Sequence, residues 1–252
     1  MKRKIYLVIC IVFALIFVVS SANIAITLYG YKQADNIYNN LQSSYVSPQP
    51  EQAPNDEPLQ EEYAPISVDF DELMKENSDI IGWIYSENTP IHYPVVQSDD
   101  NDYYLRRDLQ GKYLANGTLF ADFRCKAVGT DQNYIIYGHN MKNSAMFGTL
   151  VNYSEQNYYN EHPVLYYLTP DNDYRIDLFA GFTTEAEADI YRINIGNDED
   201  FEMFLQELKE KSTFVSDVNV TKDDHIVTLS TCSYQFNNAR YVVFGKLTRL
   251  SK

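Results

Sequence analysis

The sequence predicts a mostly β domain, closed or nearly closed into a barrel with a few peripheral helices, preceded by an N-terminal transmembrane helix. Three observations point there. Short apolar runs rich in Val, Ile, Tyr and Phe recur between turn residues from about residue 91 to residue 247, with only two segments at helical spacing among them. The 252-residue chain holds 22 Tyr, 13 Phe and 1 Trp, too aromatic for a disordered chain and enough for a real core. Finally, a basic cluster opens the chain and an uncharged apolar stretch follows it at once. Neither a collagen period nor an internal repeat is visible.

Residues 1–30 form the first element. Lys2, Arg3 and Lys4 precede an apolar run from Ile5 to Val19, and Ser20 to Leu28 stays uncharged. At about 1.5 Å per residue, Ile5 to Leu28 suffices to span a hydrocarbon core of about 30 Å. The first acidic residue is Asp35, so the charge asymmetry predicts a cytoplasmic N-terminus and an extracytoplasmic remainder in a single-pass protein. The rival is a cleaved signal peptide, with Ser20 and Ala22 as the small residues of its cleavage site. An anchor fits better, because apolar residues continue past that point.

Residues 31–65 read as an extracytoplasmic stalk. Tyr31 to Tyr45 has Ala34, Ile37, Tyr38 and Leu41 at the spacing of a short helix. Pro48, Pro50, Pro54, Pro58 and Pro65 then punctuate a stretch rich in Gln, Glu and Asn, as in an extended, poorly packed tether. Residues 66–252 are left for the globular domain. There Asp69 and Glu72 make a capping box ahead of an apolar stripe of Phe70, Leu73, Met74, Ile80 and Ile81. Phe201, Phe204, Leu205 and Leu208 fit a second helix, with Asp198 to Asp200 at its start and Lys209 and Lys211 at its end. Strands are expected over 91–96, 117–121, 134–137, 164–168, 174–183, 225–231 and 241–247; their order around a barrel is not readable from periodicity.

With 35 Asp+Glu against 20 Lys+Arg the net charge is −15, which argues against nucleic acid as a partner and is read as a solubility feature. Three cysteines are too few for a disulfide framework. Cys10 lies in the apolar segment, and Cys125 has no chemical motif around it. Cys232 ends the strand-like run Ile226-Val227-Thr228-Leu229-Ser230-Thr231, where a strand delivers a side chain to a sheet edge. Spacing leaves a Cys125–Cys232 bridge open, and free thiols are the expectation. His92, His162 and His225 read as surface or capping residues. His139 follows the hydrophobic strand Tyr134-Ile135-Ile136-Tyr137 and the breaker Gly138, which suits an acid or base on a rim. Arg240 immediately precedes the strand Tyr241-Val242-Val243-Phe244; on an antiparallel neighbour it would lie across from Cys232 and serve a developing oxyanion.

These residues carry a resemblance. Thr228-Leu229-Ser230-Thr231-Cys232 matches the TLxTC signature of sortases at every fixed position, and His139 and Arg240 complete that family's His, Cys, Arg order. The Gly138-His139-Asn140-Met141 context and the helix between two late strands resemble class B. The similarity covers roughly residues 66–252, and it supplies what periodicity could not: a closed eight-stranded barrel.

The resemblance implies a cysteine transpeptidase joining secreted proteins to the cell wall of a Gram-positive bacterium. Cys232 would attack the threonine carbonyl of a C-terminal sorting pentapeptide. His139 would protonate the leaving amine and later deprotonate the incoming one, and Arg240 would bind the carbonyl and the oxyanion. Ser230 and Thr231 are candidate substrate contacts, although a plain strand hydroxyl serves equally well for Ser230. Class B precedents accept NPQTN-like or SPxTG- and PPxTG-like peptides, and the acceptor would be a peptidoglycan precursor or cross-bridge amine. No cofactor is implied. No metal is implied either, since Asp171-Asn172-Asp173 lacks the later Gly and Glu of a calcium loop. The competing expectations are an extracytoplasmic cysteine hydrolase of another fold and a membrane-tethered binding module without catalysis.

Overall fold

The computed structural model describes residues 2–49, 63–233, 235 and 237–251. The first element, α1, is one helix over Lys2–Tyr45. Large apolar side chains along its first half, among them Ile5, Phe13, Phe17 and Ile24, are exposed, and the helix is long and apolar enough to cross a membrane. The chain divides into two compact units, the helical residues through Asn40 and the unit Leu41–Lys252.

The short helix read over Tyr31 to Tyr45 is the last part of α1. Helix α1 continues without a break past residue 30, Leu41 is buried, and the Gln42 side-chain amide donates to the His92 carbonyl at 2.8 Å. Strand β1 (Val46–Pro48) then pairs antiparallel with β2 (Ile66–Val68). Pro48 sits at the end of its strand, where a missing N–H breaks no ladder. Pro50, Pro54 and Pro58 lie outside the described residues.

Helix α2 (Phe70–Glu76) forms half of the expected capping box: the Asp69 side chain accepts the Glu72 N–H at 3.1 Å, while the Asp69 N–H donates to the Tyr45 carbonyl at 2.9 Å. The helix is shorter than its apolar stripe. Asn77 is extended, and its side-chain oxygen accepts the Asp79 N–H at 2.8 Å, a local turn that competes with another helical turn. Ile80 and Ile81 therefore leave the predicted stripe for strand β3 (Ile80–Tyr85), which the sequence reading missed.

Eight strands close the barrel in the order β10-β8-β7-β3-β4-β5-β6-β9. After β3 come β4 (His92–Val96), β5 (Leu119–Ala121) and β6 (Asn133–Tyr137). The short helix α3 (Gln156–Glu161) leads into β7 (Val164–Leu168) and the long β8 (Asp173–Glu185). Helix α4 (Asp198–Lys211) precedes the final pair, β9 (His225–Cys232) and β10 (Ala239–Arg249). Pairing is antiparallel except for two parallel seams, β4 with β5 and β6 with β9. Closure leaves the barrel without a free sheet edge.

Helix α4 keeps the polarity read from its ends. Asn197 and Asp200 form a reciprocal capping box, while Lys209 and Lys211 occupy the last turn. Its buried face, Phe201, Phe204, Leu205 and Leu208, packs on Phe179, Phe182, Ile226, Val242 and Phe244 of β8, β9 and β10. That packing braces from outside the strands whose ends carry the site.

Candidate active site

Strand register brings the three chemically capable residues together. On one side of Cys232, β6 and β9 run parallel with Tyr137 beside Ser230. Two residues further along both chains, His139 comes level with Cys232. Beyond the ladder the Gly138 N–H still donates to the Ser230 carbonyl at 3.0 Å, and the Asn140 side chain donates to the Cys232 carbonyl at 2.8 Å. On the other side, β9 and β10 run antiparallel with Arg240 directly opposite Cys232. Directly opposed residues share a sheet face, so guanidinium and thiol emerge on the same side.

Local sequence explains both approaches. Gly138 passes between Leu119 and Phe147, whose side chains would collide with any Cβ there. The β9–β10 connection is tied by a Ser233 N–H to Ala239 carbonyl bond of 2.8 Å, and Asn238 within it adopts a left-handed φ of 61°. Asn is the non-glycine residue that best tolerates that conformation.

The imidazole of His139 is oriented by main chain. Its Nε2 lies 2.7 Å from the Leu105 carbonyl oxygen. A carbonyl only accepts, so the hydrogen resides on Nε2, and Nδ1 is the nitrogen that gains and loses a proton. Burial lowers the His139 pKa below its ordinary value, and the charges of Arg106 and Arg240 push the same way against the Leu105 carbonyl. Neutral imidazole therefore predominates at neutral pH. The Arg240 guanidinium donates to the neighbouring Ala239 carbonyl at 3.1 Å.

A cavity of about 220 Å³ opens beside the thiol. His139, Ser230, Thr231, Cys232 and Arg240 all border it, together with Asn101, Leu105, Tyr137 and Tyr191. Ser230 is buried, and its hydroxyl lies 2.9 Å from the Tyr191 hydroxyl. The Thr231 hydroxyl is buried with no hydrogen-bond partner among the described residues. The arrangement sets a thiol, an imidazole and a permanent cation around one cavity, the side-chain types that acyl transfer through a thioester uses.

Leu105, Asn140 and Tyr191 were not singled out from sequence. Leu105 acts through its carbonyl, which no side-chain pattern reveals. Asn140 differs from any surface Asn only by its neighbour His139, and Tyr191 lies in an irregular stretch without periodic signal. The remaining histidines depart in part from expectation. His92 is half-buried: its ring packs edge-on against Trp83 and Tyr85, and burial lowers its pKa to about 4. His162 caps α3 and His225 bonds the Asp131 carbonyl at the start of β9, as capping residues do. The cysteines are free, with Cys125 buried.

Comparison with known proteins agrees with this geometry. The sortase domain family model matches residues 84–248. Sortase B of Staphylococcus aureus is 33% identical over 238 residues, covering 90% of this chain and 94% of that protein. Sortase B of Listeria monocytogenes is 32% identical over 234 residues, covering 92% of each. Among solved structures, Bacillus anthracis sortase B in complex with AAEK1 superposes with a TM-score of 0.75 at 31% identity, over 88% of this chain and 99% of that one. The S. aureus sortase B–substrate complex gives 0.69 at 36% identity, over 72% and 85%. Barrel, register and relatives agree, and the chain belongs to the sortase family, in its class B.

Proposed function

We propose that this protein is a membrane-anchored class B transpeptidase that cleaves a C-terminal sorting pentapeptide after its threonine and transfers the acyl group to a cell-wall amine. The observation that carries the reading is the placement of Cys232 between His139 and Arg240, each by a separate strand register, at the mouth of one cavity. The substrate complex known for the S. aureus relative supports a peptide as the acyl donor.

In the first half-reaction the Cys232 sulfur bonds to the threonine carbonyl carbon. The carbon–nitrogen bond to the next residue breaks, and His139 gives its proton to the departing amine. Arg240 stabilises the oxyanion between the two events. In the second half-reaction the acceptor amine attacks the thioester, loses a proton to His139 and expels the Cys232 thiolate. The acid form of His139 is needed together with the thiolate, while burial and two arginines disfavour it. The reactive pair is thus a minor population, and turnover is expected to follow a bell-shaped pH profile.

The apolar part of α1 serves as the anchor, with Lys2, Arg3 and Lys4 holding the N-terminus in the cytoplasm and the barrel outside. The deciding experiment is a pentapeptide-library cleavage screen with the detergent-solubilised chain, with and without added amine. Selective cleavage after threonine, with amine-dependent product, is expected. Hydrolysis alone, indifferent to every amine, would favour a hydrolase.

A further inference from the structure

We propose that the buried Asp122 carboxylate, paired with the half-exposed Arg124, is a positioning device for the acyl-donor cavity, holding Asn101, Tyr137 and Tyr191 in place on its wall. The inference rests on the transpeptidase reading above and adds residues that touch neither the thiol nor its two partners.

Asp122 follows β5 and its side chain is fully buried. Its carboxylate collects five donors. Arg124 supplies its backbone N–H at 3.0 Å and a two-pronged contact from Nε and a terminal guanidinium nitrogen, both at 2.8 Å. The Tyr137 hydroxyl donates at 2.9 Å and the Asn101 side-chain amide at 3.1 Å. Burial alone would push this carboxyl up, but those donors hold it below the usual carboxylate range, so it stays charged.

The partners of the pair come from separate segments and meet on one wall. The Asn101 amide is fixed at both ends, because its oxygen also accepts the Phe123 N–H at 3.0 Å. Arg124 reaches on to the Tyr191 carbonyl at 3.3 Å. Tyr137 and Tyr191 lie with ring centroids 6.0 Å apart, and the Tyr191 hydroxyl meets Ser230. Asn101, Tyr137, Tyr191 and Ser230 all border the cavity of Cys232.

With Arg124 half exposed, solvent screens the pair, and the desolvation of the buried carboxylate offsets much of the attraction, so the pair adds little stability. What it supplies is direction. A charged acceptor with five donors fixes each donor's position, where apolar packing would leave the hydroxyl and amide free to turn. The irregular segment that carries Tyr191 has no strand ladder to hold it there.

The test uses the full chain in detergent, with steady-state cleavage of the best library peptide per titrated thiol. Asp122→Asn is expected to raise KM about tenfold and to change kcat less than about threefold, because the chemical groups stay in place while the wall loosens. The iodoacetamide alkylation rate of Cys232 is expected to stay at the wild-type value. Tyr137→Phe should raise KM by about threefold, and the double variant should be no worse than Asp122→Asn alone. If Asp122→Asn does not fold, Arg124→Lys, which keeps the charge and loses the fork, stands in for it with the same expected rise in KM. Wild-type KM in these variants, whatever their melting temperature, or strictly additive effects, would overturn the proposal while leaving the transpeptidase reading intact. A wild-type chain that cleaves no peptide in the library would overturn both.

Discussion

Cys125 and Cys232 carry the same thiol on the same barrel, and their surroundings differ in two respects. Cys125 lies buried in the turn after β5, where burial pushes its thiol up to about 12. Cys232 ends a strand at an open cavity and has a guanidinium directly opposite. The two histidines near the barrel repeat the lesson. His92 is packed in an aromatic slot without a charged partner, whereas His139 is aimed by a carbonyl and bordered by Arg106 and Arg240. Burial alone makes a cysteine or histidine inert; access and an oriented partner make it chemical.

The largest expected effect tests the cysteine pair directly. Cys232→Ala should abolish turnover and the acyl-enzyme mass adduct while the fold survives, because only a thiol forms the thioester. Cys125→Ala should keep most of the activity. Substantial cleavage by Cys232→Ala would break the comparison at its root.

Next come the two partners of the thiol. His139→Ala removes the leaving-group acid, a role that typically contributes about 10²–10⁴-fold. Arg240→Lys keeps the charge but loses the planar fork, and a loss of about 10²-fold or more is expected for an oxyanion donor. Acylation by an activated ester needs little protonation, so it should partly restore His139→Ala and not Arg240→Ala. Equal restoration of both would show that the roles are assigned wrongly.

A smaller effect is expected in selective labelling. Iodoacetamide at neutral pH should modify Cys232 in the folded chain and reach Cys125 only after denaturation, as read by peptide mass mapping. Early labelling of Cys125 would mean that its loop opens.

The two histidines give the smallest effects. His92 binds its proton near pH 4 in the fold and near pH 6.5 when unfolded, so between those values the unfolded chain holds more protons. Stability contributed by neutral His92 is therefore lost as pH falls from about 6.5 towards 4. The melting temperature should drop across that window, and His92→Gln should flatten the drop. Arg106→Gln removes a positive charge that disfavours the His139 imidazolium, so the His139 pKa should rise, by NMR titration in a Cys232→Ala background. An unchanged titration would mean that solvent screens Arg106 completely.

Much of this was legible in the residues themselves. The Asp69 cap of α2, the charged ends and apolar face of α4 and most barrel strands follow from local patterning, whereas the Asn197 cap of α4 went unread. Cys232, His139 and Arg240 stood out as candidates by their places at strand ends, and the run Thr228 to Cys232 by its resemblance to a family signature. Strand β3 was missed because Ile80 and Ile81 also satisfy helical spacing, and Asn77 decides the matter through a turn of its own. Helical spacing over Tyr31 to Tyr45 was readable, but the pairing of β1 with β2 was hidden behind proline-rich composition. The Leu105 carbonyl and the Asp122 network depend on contacts between distant segments, which no local pattern encodes.

The parallel seam between β6 and β9 has a consequence for how the chain acquires its reactivity. It joins segments far apart in sequence, as the Asn140 to Cys232 bond shows with a separation of 92 residues. Contacts that distant cost more loop-closure entropy than local ones and slow folding. The antiparallel turn that faces Arg240 to Cys232 is local, whereas the approach of His139 depends on the seam. Only the closed barrel sets the thiol, the imidazole and the guanidinium around one cavity.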